Sequence, residues 1–183
     1  MGSGEYVLRT VGAAELARMA VPLERLYRGC FADPPWSEGE EQFAAFPDRL
    51  ACHLGTAGAH GVAAWAGVDL AGVVYGWPAA AGVPDSRFYA GVFGAVDESE
   101  HRRLRSPALE VAELMVDAAH RGRGLGRELL RRFVAGHAPA WLCVHAESRA
   151  RAFYESAGWV VRGRFTVADD VPLLVMTLDG GPA

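Results

Sequence analysis

The sequence predicts a single α/β domain of seven strands and four helices, in the order β-α-α-β-β-β-α-β-α-β-β. Three observations predict this fold class: apolar segments of strand character, apolar residues at helical spacing between them, and a glycine-rich segment that joins a strand to a helix. The chain has 183 residues, 51% of them hydrophobic, and no low-complexity tract. Residues 1–183 are therefore expected to form one domain with a sizeable core.

The N-terminal part begins with a strand and continues with two helices. "EYVLRTV" has strand character, and the apolar residues after it recur at helical spacing as far as Tyr27. Pro22 is expected to kink or split this first helix. "SEGE", which begins at Ser37, has the pattern of a capping box with Glu40 as the cap partner, and it predicts a second helix towards Arg49.

The middle of the chain contains three predicted strands and one irregular insert. Residues 60–66 and 70–77 are apolar and flank a glycine-containing turn, so they predict two neighbouring strands. Residues 82–106 form an irregular insert that bears aromatic residues, and only its part "DESEHRRLR" has helical character. The segment 108–116, "ALEVAELMV", alternates well enough to predict a strand.

The C-terminal part alternates helices and strands. Leu125, Leu129 and Phe133 line one face of a predicted helix, which precedes the strand "AWLCVH". The next helix has its apolar residues at i, i+3, i+4 and i+7, and Gly158 ends it. "WVVRGRF" and "PLLVMTL" complete the seven strands.

Composition excludes several classes of protein. The formal charge is −4, which argues against a general nucleic-acid binder. The chain has no Lys, Asn or Ile, which indicates a GC-rich and bacterial source, and the absence of Lys excludes a P-loop lysine and a lysine Schiff base. Three cysteines without CxxC spacing indicate neither a disulfide framework nor a zinc site. With no targeting or membrane segment visible, we expect a cytoplasmic protein without a metal.

The segment "RGRGLGRE" predicts an anion site. Gly122, Gly124 and Gly126 alternate at the start of a helix, where glycine is costly unless a ligand must approach the backbone. N–H groups at a helix N-terminus and the helix dipole favour a phosphate there. Three arginines add positive charge that suits phosphate: Arg121, Arg123 and Arg127. The spacing does not match the dinucleotide fingerprint GxGxxG.

Together these elements resemble the GCN5-related N-acetyltransferase (GNAT) family. The resemblance rests on the strand "ELMV", on "RGRGLG" as a match to Arg/Gln-x-x-Gly-x-Gly/Ala, and on the helix "FYESAGW". It implies a mixed, mostly antiparallel sheet of seven strands, flanked by about four helices and splayed between strands four and five. It also implies acetyl-CoA as co-substrate, with its pyrophosphate on the glycine loop.

The resemblance implies a set of cofactor-binding residues in two parts of the chain. Those around the glycine loop are Leu114, Met115, Val116, Arg121, Gly122, Arg123, Gly124, Leu125, Gly126 and Arg127. Those on the following helix are Ser148, Arg151 and Tyr154. Many relatives begin this helix with Asn, which contacts pantetheine, whereas this chain has Glu147 and Ser148.

Acyl transfer to an amine needs a base and a donor to the departing sulfur. Glu110 and Glu113 lie three residues apart on one strand and should project from opposite faces, so only one can face the acyl group. The resemblance favours Glu113, while His145 is a third candidate base. Tyr154 is the candidate donor to the thiolate, and it is also part of an apolar helix face.

The acceptor is not identified by any motif. Phe31, Trp36, Tyr75 and Trp77 could wall an apolar pocket, with His145 also among the candidate substrate-binding residues. We expect an amine of a small molecule, peptide or protein, no membrane partner, and leave a homodimer open. A non-catalytic acyl-CoA-binding module is the main alternative. An aminoacyl-tRNA acetyltransferase is a lesser one, since only Arg102, Arg103 and Arg105 form a basic cluster away from the glycine loop.

Overall fold

The computed structural model describes residues 6–137 and 139–180. Its strands are β1 (Val7–Gly12), β2 (His60–Ala66), β3 (Asp69–Pro78), β4 (Leu109–Val116), β5 (Ala140–His145), β6 (Val160–Thr166) and β7 (Pro172–Leu178). Its helices are α1 (Ala13–Arg18), α2 (Ala20–Phe31), α3 (Glu40–Ala44), α4 (Phe46–Leu54), α5 (Arg87–Gly94), α6 (Leu125–Val134) and α7 (Arg149–Ser156). Short 3₁₀ turns cover Glu98–Arg103, Ala118–His120 and Ala168–Asp170.

The described strands form one mixed sheet of seven strands in the order β1-β2-β3-β4-β5-β7-β6. β4 and β5 are parallel, whereas β1 with β2, β2 with β3, β5 with β7 and β6 with β7 are antiparallel. The β4–β5 ladder runs from the pair Leu109–Ala140 to the pair Val111–Leu142, and both strands continue beyond it. The predicted fold class is therefore confirmed.

The chain divides into two compact units. The first contains residues up to Trp77 together with Ala112–Phe133, and the second contains Pro78–Val111 and the chain from Val134. In the first unit, buried apolar residues of α1, α2 and α4 pack with residues of β1, β2, β3 and β4. A Cβ at Gly72 of β3 would lie 3.0 Å from both the Leu129 side chain and the Met115 carbonyl oxygen, so glycine permits this close packing of α6.

The second unit has its own core around Trp141 and Val175. Val92 and Phe93 of α5 contribute to this core. A Cβ at Gly91 would lie 2.6 Å from the Phe165 ring, so α5 can approach β6 only with glycine at this position. This helix was missed in the sequence, where the insert was predicted to be irregular outside "DESEHRRLR".

The helices of the first unit differ from the prediction in their boundaries. The first helix is split, as expected, but at Met19, and Pro22 lies in the first turn of α2, where a missing N–H costs nothing. The capping box at Ser37 is wrong: Ser37 has a φ of 50°, and the Gly39 N–H donates to Gln42 Oε1 at 3.1 Å. In all, seven α-helices occur in the described residues rather than about four.

Candidate active site

Glu113 lies on β4 and is partly exposed. Burial raises the pKa of its carboxyl to about 7; the Arg49 guanidinium lowers the pKa and the Glu38 carboxylate raises it. A carboxylate with this pKa is half protonated near neutral pH, which suits a general base.

Tyr27, on α2, is the centre of the aromatic packing next to Glu113. Its ring stacks on Phe31 at 4.4 Å and on Phe46 at 4.6 Å between centroids. The Tyr27 hydroxyl donates to Glu38 Oε2 at 2.5 Å. Burial and this hydrogen bond raise the pKa of Tyr27, as does the charge of Glu113, so the phenol stays protonated and remains a donor.

Arg49, on α4, brings a positive charge into the same group of residues. The Cζ atom lies 4.4 Å from the centroid of the Tyr27 ring and 5.7 Å from that of Phe46. Its charge lowers the pKa of Glu113 and also that of Tyr75. Its Nε and Nη2 atoms are buried and have no hydrogen-bond partner among the described residues. We call Tyr27, Glu38, Arg49, Tyr75 and Glu113 the acidic–aromatic cluster.

The predicted wall residues lie in the first unit beside this cluster. The Tyr75 hydroxyl is 3.2 Å from His53 Nδ1, and the Trp77 ring is 5.1 Å from the His53 ring. Burial, with the charge of Arg49, lowers the pKa of His53 to about 4, so the imidazole is neutral at physiological pH. The Phe31 ring contacts Trp36 edge-on at 5.3 Å, and both side chains are partly exposed.

Glu110 has a different environment, in the second unit. It is buried, and both carboxylate oxygens accept from the Tyr89 hydroxyl, at 2.9 and 2.8 Å. The pKa of the Cys143 thiol is raised mainly by its own burial and further by the charge of Glu110. Glu110 is thus a buried carboxylate that a tyrosine hydroxyl stabilises.

His145, at the end of β5, is buried, and its Nδ1 accepts from the Glu147 backbone N–H at 3.1 Å. A neutral imidazole with Nδ1 as acceptor carries its hydrogen on Nε2, so it has no second lone pair to act as a base. This arrangement favours the interpretation of His145 as a strand-end residue that orders the following turn.

The glycine loop has the geometry of an anion site. Gly122 and Gly124 have φ values of 72° and 80°, and no heavy atom lies within 4 Å of where their Cβ atoms would be. The Gly124 carbonyl oxygen accepts from the Glu128 N–H at 3.1 Å, so α6 begins here. The N–H groups of Leu125 and Gly126 then have no partner within the helix and can bind an anion.

The arginines around this loop differ in what they contact. Arg121 Nε donates to the Val116 carbonyl oxygen, and its Nη2 to that of Gly29, both at 2.9 Å. Arg121 therefore joins the end of β4 to α2 through Nε and Nη2 of its guanidinium. Arg123 and Arg127 are exposed beside the loop, and guanidinium groups suit a pyrophosphate. Of the predicted cofactor residues before the loop, Leu114 and Val116 are partly exposed and Met115 is buried in the core.

The α7 residues lie in the second unit. Tyr154 is buried, and its ring contacts Trp159 edge-on at 5.8 Å. Ser148 is the N-cap of α7, since its hydroxyl accepts from the Ala150 N–H at 3.1 Å. Arg151 pairs with Glu155 one turn later, at 2.9 Å.

Sequence reasoning missed three residues of this site: Tyr27, Arg49 and His53. The sequence indicates only that Tyr27 lies on a helix. A buried tyrosine needs an acceptor for its hydroxyl, and Glu38, eleven residues later, is that acceptor. Arg49 and His53 lie on α4, where no local pattern distinguishes them from surface residues.

In the residues described, no cluster of His, Cys, Asp or Glu could hold a metal ion, and no helix is long and apolar enough to cross a membrane.

Comparison with known proteins finds similarity to GNAT acetyltransferases. A model of the acetyltransferase (GNAT) domain matches residues 84–161. A search of curated proteins gave no match. Among solved structures, an acetyltransferase of the GNAT family from Streptococcus pneumoniae is 13% identical, with 97% of this chain and 100% of that chain covered and a TM-score of 0.56.

Two further structures share the fold. The PaiA N-acetyltransferase of Thermoplasma acidophilum, solved with coenzyme A, is 12% identical, with 96% and 99% coverage and a TM-score of 0.58. The ribosomal-protein-S18-alanine N-acetyltransferase of Escherichia coli is 16% identical, with 98% and 96% coverage and a TM-score of 0.56. At these identities the structural likeness establishes the fold alone. The family-model match over residues 84–161 and these shared folds make this chain similar to GNAT acetyltransferases.

Proposed function

We propose that this protein transfers the acetyl group of acetyl-CoA to a primary amine, with Glu113 as general base. The observation that carries the proposal is the place of Glu113 on β4 in the acidic–aromatic cluster, where burial raises the pKa of its carboxyl to about 7. An ammonium ion with a pKa near ~10.4 must lose a proton before it attacks, which costs about 4 to 5 kcal/mol at pH 7 without a base. A carboxylate with a pKa of about 7 can accept that proton at neutral pH.

The proposed reaction is a direct transfer. The ammonium ion first gives one proton to Glu113. The amine nitrogen then forms a bond to the acetyl carbonyl carbon, the bond from that carbon to sulfur breaks, and the second proton of the nitrogen leaves with the sulfur as the CoA thiol. Tyr154 is proposed to donate a hydrogen bond to the departing sulfur, as the family resemblance implies. The glycine loop, with Arg123 and Arg127, is proposed to hold the pyrophosphate through backbone N–H groups and guanidinium groups. The single-domain organisation remains part of this proposal.

The alternatives differ in their support. The basic cluster expected of a tRNA-binding surface is partly neutralised, because Arg103 pairs with Glu100 at 2.5 Å and also contacts Asp179. The free cysteines Cys30, Cys52 and Cys143 support a cytoplasmic location. A non-catalytic acyl-CoA-binding module remains the rival function.

Release of CoA from acetyl-CoA across a panel of amines tests the proposal. We expect at least one amine class to stimulate release well above hydrolysis, with the acetylated amine detected by mass spectrometry in equal amount. Acetyl-CoA binding by calorimetry without stimulated release by any amine would favour the non-catalytic module.

A further inference from the structure

Arg49 has two hydrogen-bond donors that the protein itself does not use. Nε and Nη2 are both buried and without a partner among the residues described. Leaving a buried donor unsatisfied costs about 1 to 3 kcal/mol, and more when the group is charged. Such a pair of donors therefore calls for a ligand that supplies the missing acceptors.

The two unused donors belong to one edge of the guanidinium group. The N–H of Nε and one N–H of Nη2 point in the same direction, and their spacing matches the two oxygens of a carboxylate. The face of the guanidinium lies over the Tyr27 ring at 4.4 Å. Because that contact occupies a face, the edge stays available for hydrogen bonds in the plane.

The acids of the acidic–aromatic cluster do not neutralise this edge. Glu38 accepts from the Tyr27 hydroxyl at 2.5 Å. Glu113 is affected by the charge of Arg49, but no hydrogen bond between them contributes to its pKa. The cluster thus combines a carboxylate suited to accept a proton from an ammonium ion with an arginine edge suited to a carboxylate.

We propose that the acceptor is an amine that also carries a carboxylate, and that Arg49 binds this carboxylate through Nε and Nη2. This inference rests on the proposed function and specifies its substrate class. An amine without an anionic group would leave both donors unsatisfied and would bring a second positive charge beside Arg49. An aminocarboxylate places its ammonium group beside Glu113 and its carboxylate beside Arg49, so each charge meets one of opposite sign.

Matched acceptor pairs test the inference. Free amino acids and longer ω-amino acids are each compared with the carboxamide of the same amine, so that only the carboxylate differs. For the best pair we expect kcat/KM of the acid to exceed that of the amide by roughly 10- to 100-fold, mainly through KM. Measured above the acidic limb of the pH profile, where Glu113 is ionised in every variant, Arg49→Met should abolish this preference by weakening the acid alone. Arg49→Lys should restore only part of it because it lacks the planar fork.

Arg28→Met is the matched control. Arg28 also lies over an aromatic ring, that of Phe43 at 4.6 Å, but it is already paired with Glu24 and Glu40. This variant should keep the preference for the acid. Thermal unfolding and CoA affinity, measured for every variant, identify loss of folding, and Arg49→Lys keeps the test usable if Arg49→Met does not fold.

The outcomes separate this inference from the function on which it rests. Turnover of amides or simple amines equal to that of the matched acids would overturn the aminocarboxylate proposal and leave the acetyltransferase proposal intact. Parallel loss of acid and amide turnover in a folded Arg49 variant, at a pH above the acidic limb, would also overturn it. If no amine is turned over, the acetyltransferase proposal fails; calorimetric binding of acids and amides to the CoA complex then decides the role of Arg49, and equal affinities would contradict it.

Discussion

The hydroxyl of Tyr27 donates a hydrogen bond of 2.5 Å to Glu38, and this contact joins α2 to the segment that follows it. The Glu38 charge raises the pKa of Glu113, whereas the charge of Arg49 lowers it. Burial is the main cause of the raised pKa of the proposed base, and two residues of opposite charge, both remote from it in sequence, adjust that pKa further.

Removing the charge of Glu38 and removing that of Arg49 should shift the pH profile of kcat/KM in opposite directions. Glu38→Gln removes a negative charge and should shift the acidic limb of the kcat/KM profile to lower pH, while Arg49→Met should shift it to higher pH. Tyr27→Phe keeps both charges and should move the limb less than either. Shifts of the same sign for Glu38→Gln and Arg49→Met would contradict the proposed electrostatic control.

Replacing Glu113 should change stability in a pH-dependent way. Its pKa is raised from 4.5 to about 7, so the folded state holds the proton more tightly and stability falls as pH rises between these values. Glu113→Gln should therefore stabilise the fold above pH 7 by about 1 to 3 kcal/mol and have little effect near pH 4. Thermal unfolding at several pH values measures this.

Glu128 provides the control with the opposite sign. Hydrogen bonds from Arg131 and Arg132 lower its pKa to about 2, so its contribution to stability is present at neutral pH and is lost in acid. Glu128→Gln should lower the melting temperature at pH 7, with a difference that shrinks towards pH 2. Equal shifts at all pH values for Glu113→Gln would show that its effect is one of packing and not of charge.

Substitution in the glycine loop should separate ligand binding from backbone strain. Gly124→Ala places a Cβ on a residue with a φ of 80°, which costs roughly 1 kcal/mol of stability. Gly136 has the same φ and equally open surroundings, so Gly136→Ala is a matched control. Both should lose similar stability, but only Gly124→Ala should weaken CoA binding, by about tenfold or more in calorimetry. Equal CoA affinity in the two variants would remove the loop from the proposed site.

Tyr154→Phe should lower kcat without changing acetyl-CoA affinity, because the ring still fills its buried position against Trp159. If the hydroxyl stabilises the leaving sulfur, we expect a loss of about 10- to 100-fold that persists at high pH. Steady-state kinetics at pH 7 and pH 9 measure it. A loss that disappears at pH 9 would instead connect Tyr154 to deprotonation of the amine.

The strands could be predicted from the sequence because alternation and apolar runs are local signals. β2, β5 and β7 have the predicted limits, and the others differ by one or two residues at one or both ends. The missed α5 contains Gly91, whose place in a helix depends on the tertiary contact with Phe165. The capping box at Ser37 failed for a similar reason, since Glu40 pairs with Arg28, on α2, at 2.8 Å.

In the candidate site too, residues marked by short motifs could be predicted, whereas residues that meet only in the folded chain could not. The glycine loop and Glu113 were predicted because short motifs mark them. Arg49 and Tyr27 come from different helices, and their contact at 4.4 Å exists only in the folded chain. No spacing in the sequence indicates that the donors of Arg49 lack a partner.

The pH dependence of kcat/KM for the wild type and for Glu113→Gln, with the best acceptor amine, tests the central claim most directly. The wild-type profile should rise through an apparent pKa of about 7. Glu113→Gln should lose roughly 10²- to 10⁴-fold near pH 7, and the deficit should shrink at high pH as the amine loses its proton unaided. A deficit independent of pH, or none at all, would contradict the role of Glu113 as the base, and a larger loss in Glu110→Gln would assign that role to Glu110.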